Sequence, residues 1–183
     1  PYLNYWEGGR GAPHSLFNAL RDCNIFLENL VEVPGLEESE RLKWLDEVKV
    51  LKVFYHFWLM QMYGPIPIID ENIPVGASPD ETNVKRESID DVVSYLVQII
   101  DEVIESENLP GLINYIYTDM GRITMPIAKA LKAKILTLAA SPIFNGNTDF
   151  SELTDNLGNK LVSQVYDAQK WIYARDALFE AIE

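Results

Sequence analysis

Fourteen consecutive residues, Val50 to Tyr63 (VLKVFYHFWLMQMY), are apolar on nearly every side of a helix, and Gly64-Pro65-Ile66-Pro67 follows directly. A helix without a polar face is stable only where neighbours enclose it on several sides. Its first half, from about Glu38, carries a single stripe of Leu42, Leu45 and Val48. The whole element predicts a rod of roughly 37 Å at 1.5 Å per residue. The prolines remove backbone donors and fix φ, so the rod stops at Tyr63. Its longest apolar run, Val53 to Tyr63, holds His56 and Gln61 and is about half of the ~20 residues a membrane span needs. A buried core helix is therefore expected, and the other elements must supply its walls.

Four more helices are predicted around it. From about Ser15 to Leu30 the positions Leu16, Phe17, Leu20, Cys23, Phe26, Leu27 and Leu30 recur at helical spacing, and Pro34-Gly35 ends the run. Ser88, with Asp91 three residues on, opens an amphipathic helix whose stripe is Ile89, Val92, Val93, Leu96, Ile99, Ile100, Val103 and Ile104. Pro110-Gly111 is expected to close it. Thr124 and Pro126 open a helix rich in Ala128, Ala130, Ala133, Ala139 and Ala140, small enough to let the aromatic half of the central rod pack against it. The last helix begins near Asp167, with Trp171, Ala174, Leu178, Ala181 and Ile182 in register. The connections 64–86 and 107–123 read as extended Pro/Gly-rich loops, and no segment alternates as a strand. The fold class is all-α, in antiparallel helix pairs that resemble tetratricopeptide repeats without a strict 34-residue period.

Composition narrows the function. The chain has 183 residues, 48% of them hydrophobic, and a formal charge of −13. An acidic surface disfavours nucleic acid, whose phosphates call for clustered Lys and Arg, and a basic helix lying on a membrane. One cysteine excludes an internal disulfide, and the helical pattern of Trp171 to Ile182 runs to the last residues without a C-cap glycine. Residues 1–183 are expected to form one domain, an N-terminal or central piece of a longer protein, with an apolar patch where further chain would pack.

Three segments in order resemble the SusD/RagB family of outer-membrane nutrient-binding lipoproteins. Glu47 to Pro67, EVKVLKVFYHFWLMQMYGPIP, is similar to the family's "E-A-x-F-L-R-A-x-Y-Y-F-x-L-x-x-x-Y-G-x-V-P". Gly121 to Gly146, GRITMPIAKALKAKILTLAASPIFNG, is similar to "G-R-x-T-x-x-A-x-x-A-L-K-A-K-x-L-L-x-A-A-S-P-x-F-N-G". Lys170 to Ile182 resembles "W-x-x-A-x-x-A-x-x-x-V-I", and Leu16, Phe17, Arg21, Asn24 and Glu28 make a weaker fourth match. Departures at Val48, Lys52, Val53 and His56 touch packing and one ion pair. The resemblance implies a non-catalytic protein on the outside of the outer membrane, lipid-anchored in its parent. It would bind oligosaccharide, or peptide in the RagB-like branch, for a SusC-like TonB-dependent transporter. A helical-repeat module that binds only other proteins is the competing reading. The family's ligand residues lie outside the shared motifs, so none is carried over.

The residues themselves offer no enzyme chemistry. The acid groups Glu37, Glu38, Glu40 and Asp101, Glu102, Glu105 lie on single helix faces, whereas a glycosidase needs two carboxyls facing one sugar from different elements. His14 and His56 have no partner at metal-ligand spacing, and no cofactor or metal is expected. Asn145-Gly146-Asn147-Thr148-Asp149 has oxygen ligands for calcium but not the twelve-residue loop. Cys23 lies on an apolar stripe and reads as packing. Aromatics on loops remain. Two clusters qualify as sugar platforms with hydrogen-bonding neighbours: Tyr5 and Trp6 with Asn4 and Arg10, and Tyr115 and Tyr117 with Asn114; Trp6 is the first choice of platform, Tyr5 and Tyr115 the next.

Overall fold

The computed structural model describes residues 4–9 and 14–183. Five long helices carry the fold: α1 (Leu16–Leu30), α2 (Glu38–Tyr63), α4 (Ile89–Ser106), α6 (Met125–Ala140) and α7 (Gln169–Ile182). Two short ones, α3 (Pro79–Thr82) and α5 (Ile116–Asp119), lie within the connections that the sequence reads as extended. Among the described residues there is no strand; isolated bridges pair Asn145 with Ser163 and Thr154 with Lys160.

Each long helix packs on the next in the order α1, α2, α4, α6, α7. The start of α1 is capped by Ser15, whose hydroxyl accepts from the Asn18 amide. Its end is held by Arg41 of α2, which donates to the carbonyls of Leu30, Val31, Val33 and Leu36. One guanidinium thus satisfies helix-end carbonyls that would otherwise lack partners. Phe26, expected on the inner stripe, is exposed, and Asn24 is buried there instead. α2 and α4 run antiparallel. The buried carboxylate of Asp46 accepts from Ser106 and Asn108, Lys49 donates to Glu102, and the His56 ring meets Tyr95 edge-on.

The second half of α2 is enclosed, as its composition demands, but not by the element expected. Val50, Val53, Phe57, Leu59 and Met60 are buried, while α6 only grazes α2 and packs on α4 and α7. The walls are α1, α4 and the segment Gly64 to Asp70, which folds back along the helix. The expectation failed because the alanine surface of α6 serves α7, where Ala174 and Ala177 are the buried counterparts. Phe54 remains partly exposed on the outer side.

The returning segment is tied at several points. The Ile69 amide donates to His56 Nε2 at 3.0 Å, while His56 Nδ1 faces the Lys52 carbonyl at 2.8 Å. Lys52, nearly buried, donates to the carbonyl and the carboxylate of Asp70, and Tyr95 donates to the same carboxylate. Gly64 makes the turn possible with φ of 72°, a left-handed value that strains any other residue.

The sequence motifs have structural roles. Glu47 and Arg122 form a two-pronged ion pair, Nε to Oε1 at 2.8 Å and Nη2 to Oε2 at 2.6 Å, that joins α2 to the entry of α6. The Asn145 amide donates to the carbonyls of Ala140 and Asp167 and accepts from the Asp167 amide. Beside it, Gly146 has φ of 80° and lies against the Tyr166 backbone, which a Cβ there would meet at 2.8 Å. Only glycine fits.

Candidate functional site

The two aromatic clusters are not one site. Tyr5 and Trp6 sit against Tyr63 at the C-terminal end of α2, while Tyr115 borders a small pocket with Lys43, Glu47 and Arg122 near its N-terminal end. Glu47 and Tyr63 are sixteen positions apart, about 24 Å along the helix axis. A ligand smaller than a long oligosaccharide can touch only one of them.

At the first cluster, local turn chemistry consumes the polar groups. The Asn4 carboxamide oxygen accepts from the amides of Trp6 and Glu7, both at 3.1 Å, and its nitrogen donates to Glu7. The amides of Tyr5 and Trp6 both donate to the Tyr63 hydroxyl, and the Tyr5 carbonyl accepts from Leu16. The Trp6 ring lies edge-to-face with Phe17 and Tyr63, at centroid distances of 4.9 and 5.3 Å. The Arg86 guanidinium sits 4.6 Å above it, held there by donation to the Pro65 carbonyl. Trp6 therefore closes the end of the α1–α2 pair, and neighbours already contact its ring. Arg10 lies outside the described residues.

The second cluster has the opposite character. Tyr115 is 72% exposed and Tyr117 fully so, with Leu112, Ile116 and Met120 exposed on the same loop. The Tyr115 carbonyl accepts from the amides of Thr118 and Asp119, which fixes the turn of α5. Beneath Tyr115 is a cavity of about 140 Å³, lined in part by Asn114, Lys43, Asp119 and Arg122. Asn114 is exposed, and Glu47 holds the Arg122 guanidinium at the cavity wall and raises its pKa. An aromatic face beside amide and cationic donors can stack on one side of a sugar ring and bond its hydroxyls. Lys43 and Arg122 were not singled out from sequence. The Gly121-Arg122 motif was the available signal.

Several other polar candidates have structural partners. Burial pushes the His56 pKa down to about 4, so the ring is neutral, with Nδ1–H donating to Lys52 and Nε2 accepting from Ile69. Burial pushes the Cys23 thiol up to about 11, which suppresses thiolate. Glu38, Glu40, Asp101 and Glu102 pair with Arg41, Lys43, Lys132 and Lys49. Asn147 accepts from the Asp149 amide and donates to Ile143. Among the described residues no three His, Cys, Asp or Glu side chains converge as a metal site, and no helix is long and apolar enough to cross a membrane.

The serial antiparallel helices, tied by a returning Gly-Pro segment and by an Asn-Gly turn, match helical parts of SusD-like solved structures. Comparison with solved structures agrees: the neighbours are SusD-like and SusD-superfamily proteins. BT4246 superposes with a TM-score of 0.82 at 33% identity, over 91% of this chain and 28% of its own. A laminarin-binding SusD-like protein matches at 0.56 and 27%, over 80% and 31%. The SusD-like protein BF3747 from Bacteroides fragilis matches at 0.61 and 22%, over 68% and 23%. The chain thus spans 23–31% of the length of these three structures. No protein-family profile and no curated protein matches the sequence.

Proposed function

We propose that this chain is part of a SusD/RagB-family protein that binds soluble glycan at the cell surface without turning it over. In the full-length protein the glycan passes to a SusC-like TonB-dependent transporter in the outer membrane. The observation that carries the binding role is the loop 110–122, where exposed Tyr115 borders a pocket with Asn114 and the anchored Arg122, and Tyr117 stands exposed on the same loop. Preformed aromatic faces matter because each hydroxyl bond to protein replaces one to water and gains only ~0.5–1.5 kcal/mol. The glycan class is supported by the similarity to a protein described as laminarin-binding. Peptide, as in the RagB-like branch, is the other ligand class consistent with the resemblance.

The test is calorimetry of the full-length protein against laminarin, xyloglucan and starch oligosaccharides and against mixed peptides. Tyr115→Ala with Tyr117→Ala should weaken glycan binding at least tenfold, about 1.4 kcal/mol, with the melting temperature unchanged. Trp6→Ala should lower the melting temperature, because it removes the plug of the α1–α2 pair. Full affinity in the double variant would remove the loop from the site, and a response to peptide alone would overturn the glycan reading.

A further inference from the structure

α4 and α7 run parallel with α6 beneath them, and the three enclose a groove of about 540 Å³. The direction follows from the ion pairs. Lys170 pairs with Asp90 near the start of both outer helices, and Lys132 of α6 bridges Asp101 and Glu180 further along. Ten or eleven residues separate the two levels, so the groove is about 15 Å long. Its floor is apolar: Val93, Ala139 and Ala177 are buried there, flanked by Val97 and Leu136. None of this belongs to the loop 110–122.

The charge is arranged by depth. The lysine side chains lie inward, each only 17% exposed, and the partner carboxylates of Asp90, Asp101 and Glu180 are 37–48% exposed. Asp167 and Asp176 add to the rim; with the Arg175 guanidinium paired to Asp176, five carboxylates stand against three cations, a net of two negative charges. An approaching molecule meets acid at both ends of an apolar trough. The chain as a whole, at −13, favours the approach of a cation. A single small cation would use one end and leave the floor exposed. A helix of about ten residues would cover it, with basic side chains at both ends of one face and apolar ones between.

We propose that the α4–α6–α7 groove docks a basic amphipathic helix of a partner protein, with Lys or Arg over the two acidic ends and aliphatic side chains on the floor. The probe is a capped 18-residue alanine-based helical peptide with Leu at the centre of one face and Arg pairs at both ends of that face. Its comparator has Glu in place of Arg. Fluorescence anisotropy with the full-length protein should show binding of the Arg peptide and none of the Glu peptide. Asp101→Asn, Asp176→Asn and Glu180→Gln together should weaken it at least tenfold. Removing three charges elsewhere, by Glu28→Gln, Glu32→Gln and Glu71→Gln, should change it less than threefold. Because the first triple variant leaves Lys132 without partners, Ser94→Arg with Tyr173→Arg provides a second test. Both side chains are exposed at the groove, and the pair should abolish binding with the melting temperature unchanged. Equal losses in the two triple variants would reduce the effect to net charge. Absence of binding, or binding unaffected by the Arg pair, would overturn the proposal.

Discussion

His56 shows how one polar residue can sit in the most apolar part of a chain. Both ring nitrogens have backbone partners, and those bonds require the neutral ring, because protonated Nε2 can no longer accept from Ile69. Its pKa is lowered to about 4 by burial, against about 6.5 in the unfolded chain. The unfolded state therefore binds the extra proton between those values, and stability present above pH 6.5 is lost as pH falls towards 4. The shift corresponds to about 3 kcal/mol. Melting temperatures measured from pH 7 to pH 4 should fall steeply in the native protein and less so in His56→Gln, which starts lower at pH 7. The Asp70 carboxyl beside it is held below its usual range: burial raises it, but the Tyr95 hydroxyl and the Lys52 ammonium outweigh that. His56 was legible from sequence as part of a buried core helix, because Phe54, Tyr55, Phe57 and Trp58 beside it are large and apolar. Trp6 was legible only as an aromatic on a loop. That Phe17, Tyr63 and Arg86 converge on it depends on contacts eleven to eighty residues away, which no local pattern encodes.

At the scale of the element, helix existence was legible and partnership was not. The stripe of α4 appears in the structure almost residue for residue, because a single apolar face faces a single core. The alanine-rich α6 was assigned to the wrong neighbour, since small residues say that something approaches closely but not what. Helix ends depend on one or two residues. The break expected at Pro110-Gly111 comes earlier, after Ser106, where Glu107 takes a left-handed φ of 55°. A left-handed L-residue costs roughly 1–2 kcal/mol, and glycine at that position avoids much of it at some cost in unfolded-state entropy. Glu107→Gly should therefore raise stability by about 0.5–1 kcal/mol, read as a higher urea midpoint with an unchanged slope. A lower midpoint would mean that the Glu107 side chain matters more than its backbone.

For the whole molecule, the informative surface is the outer face of α7. Its inner side is buried on α6 through Ala174 and Ala177, but Leu178, Phe179 and Ile182 are 46%, 60% and 82% exposed, with Trp171 beside them. Apolar residues in one contiguous patch mark a contact surface more often than chance exposure does. The sequence pattern foretold such a patch, because a helix whose Trp, Leu and Ile positions follow helical spacing needs something to bury them. The polypeptide of residues 1–183 alone should self-associate through this face at micromolar concentration. Phe179→Glu with Ile182→Glu should make it monomeric in sedimentation velocity without lowering its melting temperature, since neither side chain is buried in the chain itself. In a longer protein of the proposed kind the same pair has a second readout. A fall of several degrees in melting temperature would mean that further polypeptide covers α7, and an unchanged value would leave the face open to another molecule. Self-association that persists in the double variant would place the contact elsewhere, with the exposed loop around Tyr117 the next surface to test.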